Sequence, residues 1–305
     1  MALAVVLLLL GAAAIFAGAS GASRGIAGLS SLRGAPPPFV GALLLGSNLG
    51  PAVLAAYLAA RGDALASAPA ALGSAAFLLC FGMAAIVSIG TGLGEPEPGT
   101  IVYPAAVLLV AGFAIRSDVV SRTAGALLLV AFVLAAWLMR GERAAEIGAE
   151  RLRQEATRGL RMPAWALAAG GLVLTVGGAA LLTEGGSRLA GAGHLAGGFV
   201  AAAVMGPLAS AATVRALARA ARTGEPGIAA AKVLSTASFS MGALGLAAVI
   251  GPAVLDPAAT VTYLAVVAAF ALDSVTLLWS SLADWRLAAA SAAAGVGWLW
   301  LAAKV

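Results

Sequence analysis

The stretch GSNLGP, residues 46–51, sets a hydroxyl (Ser47) and a carboxamide (Asn48) between glycines and ahead of Pro51, inside a run that is otherwise apolar. Hydroxyl and amide oxygens, with the carbonyls freed where Gly and Pro break a helix, are ligands for a small cation or a polar substrate group. Irregular backbone at membrane depth is tolerated only where protein or a water-filled cavity covers it. The stretch therefore reads as one half of a buried substrate or ion site; the alternative is a Gly/Pro kink used for packing alone. Two ionisable residues also sit in apolar runs: Lys232 in GIAAAKVLSTASFS and Asp273 in VVAAFALDSVTLLW. Such residues in membrane helices are functional by default. Lys232 lies close to the start of its run, so snorkelling to the surface is the competing reading. Asp273 has three possible roles: pairing with Lys232, carrying a proton, or a hydrogen bond between helices. The sole histidine, His194, follows a polar loop and reads as interfacial rather than as a proton relay.

These residues need elements to position them. Of the 305 residues, 62% are hydrophobic and 10% charged, against roughly 25% charged in a soluble domain. A spanning helix takes about 20 mostly apolar residues, and the chain supplies about ten such helices. The fold class is all-α: a polytopic helical membrane protein. The expected spans are 2–20, 36–60, 65–90, 101–115, 121–139, 164–183, 195–220, 227–250, 258–281 and 286–303. The first 22 residues could pass for a signal peptide, but they lack a basic leading region, and a first membrane helix fits better. The net charge of +5 resides mostly in loop arginines, so a nucleic-acid partner is not expected. One cysteine, Cys80, permits neither an intrachain disulfide nor a paired-cysteine metal site. No nucleotide loop, catalytic triad or zinc spacing is present, and no cofactor or bound structural metal is implied. An intramembrane enzyme would need a nucleophile with its base, or paired carboxylates, so no enzymatic activity is expected.

Numbering the loops one to nine, the odd loops hold most of the arginines, and the even ones only Arg61, Arg116, Arg122 and Arg188. The positive-inside rule then places the odd loops in the cytoplasm and both termini outside, in the plasma (cytoplasmic) membrane. Arg215, Arg219 and Arg222 share a helix face suited to lipid headgroups, and Trp137, Trp165, Trp279, Trp298 and Trp300 read as an interface belt. The polar segment 140–163 reads as a cytoplasmic linker helix, with a lipid- or partner-binding surface helix as the sharper possibility. It divides the chain into five-helix halves, 1–139 and 164–305. Shifting the second half by 162 positions lays Asn48 on Ser210, Gly62-Asp63 on Gly224-Glu225, and LGSAAF (72–77) on LSTASF (234–239). Repeats with an odd number of helices must be oppositely oriented, which is the inverted plan of many secondary transporters. Residues 46–51 and 205–213 are accordingly expected to interrupt helices and meet near the membrane centre.

The segments VGALLLGSNLGPAVLAAYLAARGDALASAPAALGSAAF (40–77) and AAVMGPLASAATVRALARAARTGEPGIAAAKVLSTASFS (202–240) resemble the cation/calcium exchanger superfamily, which includes the sodium/calcium exchangers. That family has two inverted five-helix repeats, each with a G-T-S-L-P-E break in its second helix and a G-S-N-x-x-N/D motif opening its third. The spacing from Gly46 to Ser74 is kept, as are Gly62, the Gly73-Ser74 pair and Phe77. The resemblance implies antiport of a small inorganic cation or proton, with Ser47, Ser74, Ser210 and Thr236 on matched ligand positions and Asn48 on a family serine. It also marks departures. The family's metal-binding glutamates fall on Pro51 and Thr213, and the later amide or acidic ligands on Leu78 and Ser240. Divalent cations want several oxygens including carboxylate charge, so no tight Ca²⁺ site is expected. Lys232, one turn before Thr236, could stand in for the lost ion or couple transport to a proton, with Asp273 as its partner. The alternatives are a degenerate exchanger that no longer transports and a ten-helix drug/metabolite-type transporter, although the latter does not require paired polar breaks.

Overall fold

The structure is a computed structural model that describes residues 1–32, 48–89, 97–115, 118–141, 163–222, 226–278 and 285–305. Within them lie 11 helices. The first half contributes α1 (Ala2–Leu32), α2 (Leu49–Ala60), α3 (Ala64–Ile89), α4 (Gly99–Ala114) and α5 (Arg122–Leu138). The second contributes α6 (Ala164–Gly193), α7 (Gly197–Ala209), α8 (Ala211–Arg222), α9 (Pro226–Ile250), α10 (Pro257–Leu278) and α11 (Trp285–Ala302). Six of these are long and apolar enough to cross a membrane, and α7 with α8 makes a seventh span bent by 47°. The chain is a polytopic helical membrane protein whose helix count is roughly consistent with ten; residues 36–47 of the expected second span lie outside the described residues. Most of the linker segment, residues 142–162, lies outside the described residues, as does Trp279.

The two halves repeat in their element boundaries. The starts of α1 and α6 (2 and 164), α2 and α8 (49 and 211), and α3 and α9 (64 and 226) are each 162 residues apart. Those of α4 and α10 (99 and 257) and of α5 and α11 (122 and 285) differ by 158 and 163. Opposite orientation is visible in the packing of α1 on α6. Gly11 abuts Gly178, Gly18 abuts Gly171, and Gly25 abuts Ala164, so numbers rise on one helix as they fall on the other. Glycine at seven-residue spacing on both helices brings the backbones together, as small residues do where lipid offers no hydrophobic drive. The α5–α9 pair is also antiparallel, with Gly125 on Gly245 and Ala248, and Gly242 on Phe132.

The first helix of each half runs past its expected end, to Leu32 and Gly193 instead of 20 and 183. Segments such as EGGSRLAGAG keep helical hydrogen bonding after hydropathy has fallen, because exposed polar turns satisfy their own backbone. His194 ends α6 in the left-handed region at φ 51°, and is exposed. Gly62, at φ 78°, makes the turn between α2 and α3, and Asp63 caps α3 by accepting from the Ala66 N–H at 3.2 Å. A two-residue antiparallel ladder, Val119–Val120 on Ala253–Val254, ties the α4–α5 connection to the α9–α10 connection. Asp256 caps α10 through the Ala259 N–H at 2.7 Å and lies against Gly198 of α7. Its carboxyl, at the head of the span, is pushed above the usual carboxylate range by burial, against the pull of that N–H.

Candidate functional site

The start of α2 meets the break between α7 and α8; residues 46 and 47 of the expected first break lie outside the described residues. Asn48 precedes α2 with non-helical dihedrals (φ −124°, ψ 70°), and Ser210 separates α7 from α8. Both are buried, at 1% and 0% exposure, and Thr213 is buried at 6% in the first turn of α8. The Asn48 Nδ2 donates to Ser210 Oγ at 3.0 Å, and Thr213 Oγ1 donates to Asn48 Oδ1 at 2.9 Å. Ser210 Oγ in turn donates to the Gly206 carbonyl at 3.0 Å. Asn48 thus hydrogen-bonds the residue 162 positions away, its own counterpart in the repeat, and bridges the halves with one carboxamide. Gly50 makes the approach possible: a Cβ there would collide with the Ala209 carbonyl and with Ile15.

The third span closes over this crossing. Gly73 of α3 lies against Ala202, where α7 contains a π-helical turn (Ala201–Met205), and Gly206 lies against Ala70 and Ser74. Ser74 Oγ donates to the Ala71 carbonyl at 3.0 Å, and in α9 Thr236 Oγ1 donates to the Lys232 carbonyl at 2.8 Å. Both hydroxyls are fully buried and give their hydrogens to their own helices, which leaves their oxygen lone pairs as acceptors. Ser240 is buried with its Oγ unpartnered. Ser47 lies outside the described residues.

Lys232 and Asp273 are not joined. Lys232 is partly exposed on α9, and its ammonium makes no ion pair among the described residues; its counterpart in the first half is Ala70, at the crossing. Asp273 is fully buried on α10, and its Oδ1 accepts from Ser291 Oγ of α11 at 3.1 Å. Among the described residues no group of three or more His, Cys, Asp or Glu could hold a metal ion. Among the described residues the crossing offers the neutral oxygens of Asn48, Ser210 and Thr213.

Arg215 stacks on the Phe16 ring at 5.3 Å, and Arg140 on Trp137 at 3.8 Å. Trp298 departs from the expected belt: it is buried and donates from Nε1 to Thr262 Oγ1 at 3.1 Å, joining α11 to α10. Glu184 is exposed and pairs with Arg188 at 2.6 Å. Sequence reasoning missed the Asp273–Ser291 pair and both π-helical turns, which leave no mark in hydropathy. The seven-residue glycine spacing of α1 and α6 was a signal available to it.

The family model described as "Sodium/calcium exchanger protein" matches residues 3–140. No curated protein matches the chain by sequence. Among solved structures, the sodium-calcium exchanger NCX_Mj soaked with Na⁺ and Sr²⁺ is similar at 17% identity and a TM-score of 0.63, covering 96% of each chain. The H⁺/Ca²⁺ exchanger CAX gives a TM-score of 0.68 at 13% identity, covering 99% of this chain and 88% of the other. Native YfkE gives 0.66 at 14%, covering 98% and 92%.

Proposed function

We propose that this chain is a secondary transporter of the cation/calcium exchanger superfamily that exchanges a small inorganic cation or a proton through the crossing of its second and seventh spans. The observation that carries this reading is the Asn48 bridge to Ser210 and Thr213, which joins the start of α2 to its counterpart, the break between α7 and α8. In this reading the halves 1–139 and 164–305 move against each other about the crossing, linked by 140–163. The bridge must part for a cation to reach Ser47, Asn48, Ser74, Ser210, Thr213, Thr236 and Ser240. Neutral oxygens suit a monovalent ion better than Ca²⁺. Lys232 supplies a tethered positive charge beside Thr236, alternating between the ion's place and the surrounding water. The arginine distribution supports a cytoplasmic membrane with both termini outside, lipid being the surrounding partner.

The test is flux in proteoliposomes under Na⁺, K⁺, Ca²⁺ and H⁺ gradients. Exchange of Na⁺, K⁺ or H⁺ is expected, and Lys232→Met is expected to remove its pH dependence. The self-satisfied crossing favours one second reading, a homologue that has ceased to transport. Absence of flux under every gradient, from folded protein, would establish that reading in place of the first.

A further inference from the structure

A second buried polar site lies away from the crossing, where α3, α10 and α11 meet. The Asp273 carboxyl is fully buried there; Ser291 donates to Oδ1, and Oδ2 has no hydrogen-bond partner. One turn beyond Ser291 on α11, Gly295 lies against Cys80 and Phe81 of α3. Those two residues belong to a π-helical turn, Leu78–Gly82, which interrupts α3 at this contact. π-turns inside α-helices recur at functional sites. An ionised carboxylate held by a single neutral donor, with its other oxygen unpartnered among the described residues, would be costly to bury. The same group as a neutral acid costs far less.

The ionisable neighbours are few. On the elements packed against α10, the described residues offer Cys80 of α3, whose thiol is in electrostatic range of Asp273, Lys232 of α9 and Arg286 of α11. Gly197–Ala209 carries none. Among the described residues, the Asp273 carboxyl has one hydrogen-bond partner, the Ser291 hydroxyl.

We infer that Asp273 is a proton-binding site, holding its proton on the carboxyl while the α3–α10–α11 junction is closed and releasing it to water only when α3 shifts at its π-turn. Release breaks the O–H bond of the acid, leaving a carboxylate and passing the proton to solvent. The link to the crossing is α3 itself: Gly73 and Ser74 pack on α7, and the π-turn begins at Leu78, four residues on from Ser74. At about 1.5 Å per residue, Ser74 and the Cys80 contact are about 9 Å apart along α3, under two helical turns. A change in the crossing thus reaches Asp273 through one continuous helix. The coupling rests on the transporter reading; the proton site does not.

The experiment is infrared spectroscopy of the purified protein reconstituted in lipid, titrated with pH. A carboxylic-acid C=O band is expected that disappears as pH rises and is absent at every pH from Asp273→Asn, which keeps the shape of the neutral acid. Ser291→Ala, which keeps the carboxyl and removes its donor, is expected to move the midpoint. A spectrum unchanged by Asp273→Asn, or a band that stays constant across the pH range where the protein is folded, overturns the inference. Flux is measured on the same samples: an Asp273 band that titrates in protein without transport would fail the transporter reading alone.

Discussion

The crossing of the second and seventh spans and the α3–α10–α11 junction are both buried, both polar and both built against α3, yet they differ in how their hydrogen bonds are met. At the crossing, the Asn48 donor and acceptor each have a partner, and all three side chains are neutral. At the junction a carboxyl keeps one oxygen without a hydrogen bond. The difference separates two tasks. A neutral, saturated bridge holds two half-chains in register and must break as a unit. A half-satisfied acid is sensitive to whether water can reach it. In low dielectric an unmade hydrogen bond costs more than a made one contributes, so the two regions respond differently to substitution.

The largest effect is expected from prising the crossing apart. Gly50→Val puts a side chain into the Ala209 carbonyl and should destabilise the protein by about 3 kcal/mol. Gly177→Val, on an exposed face of α6 with nothing within 4 Å, should stay within about 1 kcal/mol of the parent. Thermal unfolding in detergent compares them; equal melting would mean that Gly50 does not set the approach.

A smaller effect should follow from giving the crossing the junction's defect. Asn48→Leu keeps the bulk but leaves Thr213 Oγ1 without its acceptor, at an expected cost of about 2 kcal/mol. In a double-mutant cycle, Thr213→Val should recover much of that loss. Additive losses would show that the bridge carries no coupling between the halves.

The smallest effect belongs to neither region. Glu184 and Arg188 pair with side chains about half exposed, and Glu184→Gln should change stability by at most about 0.5 kcal/mol. A larger loss in the same melting assay would mean that surface pairing contributes to holding the bundle.

Much of this arrangement was legible in the sequence, and the exceptions share a physical cause. Hydropathy located the spans because lipid selects apolar runs, and the 162-residue repeat located the crossing because Asn48 and Ser210 interrupt equivalent runs. Hydropathy could not see that α1 continues to Leu32, since helical hydrogen bonding outlasts apolar character. It placed Trp298 at the interface by its distance from the span end, but helix rotation turns that ring inward to Thr262. Asp273 was singled out as an intramembrane acid, yet its partner is Ser291 on the next helix, a neighbour fixed by packing rather than spacing. The donor bonds of the Ser74 and Thr236 hydroxyls were likewise hidden, because residue type reports an oxygen but not where its hydrogen goes.

The central claim is that the crossing is held by its own neutral side chains and brings no carboxylate, among the described residues, to a divalent ion. Titration calorimetry of Ca²⁺ into the purified, folded protein tests it most directly. No saturable heat in the micromolar range is expected, since Pro51, Thr213, Leu78 and Ser240 supply no carboxylate. Micromolar or tighter Ca²⁺ binding that is lost in Asn48→Leu would contradict the account.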